Sequence, residues 1–165
     1  MIKLILIVED KEDEQMKAFD EIKLLLSPDD EEEIWFRAKP FIQVGLKKAK
    51  TIVFFVSDMS MAEKRIDLLN KLSHLGQVGV ITDLMFPREQ DGKEEPNGLG
   101  VIASCIQSGF PVVVCSDTDH HDVNYLKPIF PLLGKAHPIG DIPVLLDKKD
   151  WKRAISLLME KLNAL

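Results

Sequence analysis

The stretch Val80-Ile81-Thr82-Asp83-Leu84-Met85-Phe86-Pro87 decides how this chain is read. An apolar, β-branched run ends in a carboxylate, and the run stops there. β-branched residues suit a pleated, buried surface, so Val78 to Thr82 reads as a strand buried on both faces. A carboxylate is costly inside a core and useful at the mouth of a site. Two other apolar runs end in the same manner: Ile5-Leu6-Ile7-Val8 runs into Glu9-Asp10, and Val112-Val113-Val114-Cys115 runs into Ser116. If these strands are parallel, three acids and a hydroxyl converge on one edge of one sheet.

The rest of the chain supports a parallel sheet, because short apolar runs alternate with longer helical patterns. After the first strand, Ile2 to Val8, the residues Met16, Phe19, Ile22, Leu25 and Leu26 give a helical stripe that Ser27-Pro28-Asp29-Asp30 stops. Ile34-Trp35-Phe36 reads as a weak strand, Phe41 to Lys50 as a helix, and Thr51 to Val56 as a strong buried strand. Met61 to Leu75 is helical. Arg88 to Pro96 is a polar loop directly after Asp83, where α/β proteins place ligand sites. Asn97 is suited to cap a helix over Gly98 to Ser108, which Gly109 ends. A helix beginning near His120 and running toward Leu133 meets Pro128 and Pro131, which kink or end it. Ile142 to Leu146 is the last strand and Trp151 to Leu162 the closing helix. The expected fold is α/β: a doubly wound parallel sheet of five core strands, with room for one extra βα unit and helices on both faces.

A length of 165 residues suits a single domain with a sizeable core. The net charge of −6 argues against a nucleic-acid surface, which usually carries a basic stripe. Cys105 and Cys115 lie in apolar runs outside any metal-ligand spacing, so they read as buried free thiols of a reducing compartment. The apolar run at the N-terminus meets Glu9-Asp10 too soon for a signal peptide. No run approaches the ~20 apolar residues of a membrane span. A cytoplasmic protein is expected.

Carboxylates gathered at strand ends make an all-oxygen site, which suits Mg²⁺. Without a cation the acids repel one another and some would protonate. With one, Asp83 could attack a phosphoryl group while a hydroxyl and a Lys bind its oxygens. Ser116 supplies the hydroxyl. Lys148, the first Lys after Val144-Leu145-Leu146-Asp147, is placed to reach the same edge. Each residue also has a plainer role open to it: an N-cap for Glu9-Asp10, an Asx-turn for Asp83, a turn for Ser116, solvated surface for Lys148. The run Asp119-His120-His121-Asp122 reads as solvent-facing histidines at a helix start, since adjacent helical residues point about 100° apart.

The ordered set of these segments resembles the receiver domains of two-component response regulators, of the chemotaxis-protein type, with flavodoxin-like topology. Leu4 to Asp10 resembles the first strand and its acidic pair. Val80 to Pro87 resembles the phosphoacceptor strand and the Pro-containing stretch after it, and Asn97 to Ile102 the start of the third helix. Pro111 to Ser116 resembles the strand with the switch hydroxyl, and Leu145 to Lys148 the strand with the Lys. The resemblance implies that Asp83 takes a phosphoryl group from a phosphohistidine, and that Glu9, Asp10, Asp83 and the Met85 carbonyl hold Mg²⁺. It implies that Ser116 and Lys148 contact the phosphoryl group. The implied partners are a sensor histidine kinase or phosphotransfer protein, a downstream protein and a second copy of the chain, with no direct nucleic acid and no membrane. Such a chain is a self-modifying signalling domain rather than a turnover enzyme. Output is expected through a partner or self-association, since no output domain follows the closing helix.

Four features depart from the family pattern. The stretch from Asp10 to Asp83 is longer by roughly one βα unit, so residues 1–165 read as one receiver-like domain with an insertion within about 27–58. That length leaves Asp58, just past the strand Thr51 to Val56, as a rival acceptor. Asp117 stands where a small residue usually follows the switch hydroxyl, and it would repel a phosphoryl group. Lys149 replaces the usual Pro after the Lys, and Leu145 replaces a common aromatic. Two alternatives follow: a degenerate receiver that only binds proteins, and a Mg²⁺-dependent phosphodiester enzyme of Toprim type using Glu9 and Asp117-Thr118-Asp119.

Overall fold

The computed structural model describes residues 2–25, 51–117 and 124–165. The strands are β1 (Ile2–Val8), β2 (Thr51–Val56), β3 (Gly76–Thr82), β4 (Phe86–Pro87), β5 (Glu94–Glu95), β6 (Val112–Cys115) and β7 (Val144–Leu145). Five of them form one sheet in the order β2-β1-β3-β6-β7. Every pair in it is parallel. With the small β4–β5 ribbon set aside, this is the flavodoxin-like order 2-1-3-4-5. The doubly wound, five-stranded expectation therefore holds.

Strand alternation builds the two layers. Leu4, Leu6 and Val8 point with Ile52, Phe54 and Val56 into one core, while Ile5, Ile7, Val53 and Phe55 point into the other. The helices are α1 (Glu12–Leu25), α2 (Met59–Leu72), α3 (Gly98–Ser108), α4 (Phe130–Ala136) and α5 (Trp151–Asn163). α2, α3 and α4 seal the first core, and α1 and α5 seal the second. Leu158 packs so closely on β3 that a Cβ on Gly79 would lie 2.9 Å from its Cδ1. A side chain on the strand there would push α5 off the sheet.

Several local expectations change. Thr51–Val56 is β2, the strand at one edge of the sheet beside β1. Among the described residues the main sheet has no sixth strand. The expected strand at Ile34 and helix over Phe41 to Lys50 lie outside the described residues, as do His120 and His121. Arg88 to Pro96 is not all loop, since Glu94–Glu95 pairs antiparallel with Phe86–Pro87. Asn97 sits at the start of α3 without capping it by its side chain. Its Nδ2 donates instead to the Phe86 carbonyl at 2.7 Å, which ties the ribbon down. Gly109 ends α3 at φ 69°, as a left-handed C-cap should. The expected helix start near His120 lies outside the described residues; Leu133 falls in α4, which has Pro131 in its first turn, where a missing N–H costs nothing. The last strand shrinks to Val144–Leu145.

Candidate functional site

The strand ends meet because successive parallel strands are held in register to their last residue. Val8 is opposite Val56 on one side and Thr82 on the other. One rung beyond, the Glu9 N–H donates to the Val56 carbonyl and the Asp83 N–H to the Val8 carbonyl, each at 2.9 Å. The Ser116 N–H donates to the Leu145 carbonyl at 2.9 Å. Glu9, Asp83 and Ser116 thus leave the sheet at one level, and all three are buried. α3 closes in behind them: a Cβ on Gly98 would lie 2.3 Å from the Asp83 carbonyl oxygen, so only glycine allows that approach.

Asp83 is gripped on both oxygens. Oδ1 accepts from the Ser116 hydroxyl at 2.5 Å and from the Leu84 N–H at 2.6 Å, with the Met85 N–H at 3.4 Å. Oδ2 accepts from Lys149 Nζ at 2.7 Å. The same ammonium donates to Glu9 Oε2 at 2.5 Å. Glu9 Oε1 accepts from the Lys11 N–H at 3.0 Å, and the Glu9 carbonyl from Gln15 Nε2 at 2.5 Å. Glu9, Asp10 and Asp83 each offer an oxygen, all within 4.8 Å of one another. Asp10 Oδ1 is buried and has no hydrogen-bond partner among the described residues.

The lysine of this pocket is Lys149, not the expected Lys148. Lys148 is exposed, whereas the Lys149 side chain is 7 % exposed and bridges two carboxylates. The reason is the turn after β7: the Lys148 carbonyl accepts from the Asp150 N–H, and Asp150 then caps α5 by accepting from the Arg153 N–H at 3.0 Å. That turn sends Lys148 outward and Lys149 inward. The rival Asp58 is likewise occupied, capping α2 through the Met61 N–H at 2.8 Å. Met85 lies two residues past Asp83 and packs partly into the first core.

Electrostatics mark the pocket as crowded with negative charge. Burial, and then the charge of Asp83, push the Glu9 carboxyl up to about 8, against the pull of Lys149 and the Lys11 N–H. Burial disfavours the charged Lys149 ammonium, but Asp83 and Glu9 outweigh it and raise its pKa. Burial raises the Cys105 thiol, and burial with Asp83 raises Cys115. Both are therefore poor nucleophiles, as buried free thiols should be.

Sequence reasoning missed Lys149, Gln15 and Lys11. A lysine following Asp147-Lys148 carried a usable signal, because Asp150 before an amphipathic run is a helix cap that fixes the turn. The backbone N–H of Lys11 and the amide of Gln15 carry no motif.

No protein-family model matches the chain, and no curated protein matches it. Solved structures do. The signal receiver domain of an HD domain-containing protein from Pseudomonas fluorescens Pf-5 superposes with a TM-score of 0.52 at 14% identity, covering 100% of both chains. A fusion carrying the yeast Spc42 trimeric coiled coil, amino acids 181–211, superposes with a TM-score of 0.53 at 14% identity, over 99% of this chain and 81% of that one. A response regulator from Colwellia psychrerythraea gives 0.49 at 12% identity over 100% of both. Sheet order, strand-end acids and the full-length match to the Pseudomonas domain agree: this chain has the fold of a signal receiver domain.

Proposed function

We propose that the chain is a phosphorylatable receiver: Asp83 accepts a phosphoryl group with the help of Mg²⁺, and the change is read by a protein partner. The observation that carries this reading is the convergence of Glu9, Asp10, Asp83, Ser116 and Lys149 from four separate strand ends into one buried pocket. A core has no use for such a set, and a phosphoryl site needs all of it.

The residues fit the ion. The donors are oxygens, the set is rich in negative charge, and among the described residues the buried Asp10 Oδ1 lacks a partner, which a cation would supply. Glu9, Asp10, Asp83 and the Met85 carbonyl would hold it. Bound there, Mg²⁺ supplies the positive charge that lets anions approach one another. Asp83 Oδ2 is the attacking oxygen, since Oδ1 is fixed by Ser116 and Leu84 while Oδ2 faces a displaceable ammonium. The Oδ2–P bond forms as the P–N bond of a donor phosphohistidine breaks, and the imidazole leaves with that electron pair. The Ser116 hydroxyl and the Lys149 ammonium then donate to phosphoryl oxygens. Upstream stands a sensor histidine kinase or phosphotransfer protein. Downstream stands a protein partner or a second copy of the chain, in the cytoplasm. Among the described residues no helix is long and apolar enough to cross a membrane.

The test is labelling with acetyl phosphate. Wild type should gain one phosphoryl group in Mg²⁺ and none in chelator, and Asp83→Asn should gain none. Equal labelling of Asp83→Asn would refute the acceptor. No labelling of wild type would favour a second reading, a protein-binding module without phosphotransfer. Lys149 supports that alternative, because its ammonium already pairs with both Glu9 and Asp83.

A further inference from the structure

Two side chains two positions apart, on either side of the Asp150 cap, reach back toward the acidic pair and the first turn of α1 that follows it. Lys149 reaches Glu9 and Asp83. Trp151, buried at the first turn of α5, donates its indole Nε1–H to Glu14 Oε2 at 2.6 Å. Glu14 lies in the first turn of α1, the helix that begins two residues after Asp10. The other Glu14 oxygen, Oε1, accepts from Lys17 at 2.5 Å. The two bridges differ in durability. The Lys149 bridge joins groups that any cation or phosphoryl oxygen would compete for. The Trp151 bridge joins groups with no other part in the pocket, and it is shielded by the core that α1 and α5 share.

We infer that Glu14 and Trp151 are positioning residues: their hydrogen bond holds the start of α5 against α1, so that Lys149 stays within reach of the pocket when its own carboxylate partners are taken. This rests on the phosphoryl-receiver reading for its purpose, though not for its geometry. A tryptophan at this place does more than fill the core, since its N–H is aimed at a carboxylate. Glu14 does more than favour a helix N-terminus, since one of its oxygens is committed across 137 positions of sequence.

The test reads Lys149 directly. Full-length protein is treated with trace acetic anhydride, and acetylation of each lysine is followed by peptide mass spectrometry. In wild type Lys149 should be protected, with the exposed Lys148 as the neighbouring reference. Trp151→Phe keeps the ring and drops the donor. It should speed Lys149 acetylation about tenfold, the cost of losing a hydrogen bond to a charged acceptor, while leaving Lys148 unchanged. Glu14→Ala should match it, which keeps the test valid if Trp151→Phe folds poorly. Glu14→Gln retains an acceptor and should protect Lys149 as wild type does. Lys17→Ala removes only the partner of Oε1 and should also leave Lys149 protected. Unchanged Lys149 reactivity in both Trp151→Phe and Glu14→Ala would overturn the inference, as would equal exposure in Glu14→Gln and Glu14→Ala. In a second arm, Trp151→Phe should take phosphoryl from acetyl phosphate more slowly at saturating Mg²⁺. If wild type takes none, the receiver reading falls, and the acetylation pattern still decides the positioning role.

Discussion

The centre of the sheet and its β7 edge deliver charged groups to the same pocket by different means. At the centre, β1 is paired on both sides from Lys3 to Val8, so Glu9 and Asp83 are fixed by strand register. At the edge, β7 has two residues and one strand neighbour, and the lysine is set by the turn into α5. Acids placed by register can be read from strand ends. A cation placed by a helix cap cannot, and counting from the end of β7 selects the wrong lysine by one residue.

The sharpest way to break this contrast is to exchange the two lysines' fates. Lys149→Met should slow phosphoryl uptake from acetyl phosphate by about 100-fold, in line with losing one donor aimed at developing charge. Lys148→Met should leave the rate at the wild-type value. Equal effects, or an effect confined to Lys148→Met, would undo the assignment made from the edge.

Asp10 tests the centre. It carries the buried oxygen without a partner among the described residues, so a divalent ion has most to gain there. Asp10→Asn should weaken Mg²⁺ binding, measured by calorimetry, by about 10- to 100-fold. Lys149→Met should tighten it, because the ammonium and the ion draw on the same carboxylates of Glu9 and Asp83. Unchanged affinity in both variants would place the ion elsewhere.

A smaller effect follows from Glu9. Its carboxyl is raised from 4.5 to about 8 by burial and by Asp83. Between those values the unfolded chain ionises Glu9 more readily than the folded protein does, so metal-free stability falls as pH rises through that window. Urea midpoints across the window should slope downward in wild type and lie flatter in Glu9→Gln. Parallel slopes would mean that Glu9 does not carry the dependence.

How much the sequence reveals follows the same division. β1, β2, β3 and β6 were legible because each is a run of apolar residues, mostly β-branched, with a polar stop. Glu9, Asp83 and Ser116 were legible as those stops. Thr51–Val56 reads as a strand from its own residues, but its place beside β1 does not, because pairing partners are not written in a strand's own residues. Asn97 has the composition of a helix cap, yet its amide is drawn to the Phe86 carbonyl by the β4–β5 ribbon, a tertiary contact no local pattern carries. Pro131 reads as a residue that kinks or ends a helix, yet it sits in the first turn of α4, where the position of the turn depends on contacts its own neighbours do not record. The Glu14–Trp151 bond joins residues far apart in sequence, and neither side chain alone announces it.

The most direct measurement asks which atom carries the phosphoryl group. Protein treated with acetyl phosphate and Mg²⁺ is reduced with borohydride, which converts an aspartyl phosphate to homoserine, and the modified position is read by peptide mass spectrometry. The account predicts conversion at Asp83 alone, only with Mg²⁺, and abolished in Asp83→Asn. Conversion at Asp58 or Asp10, or none in wild type, would contradict it.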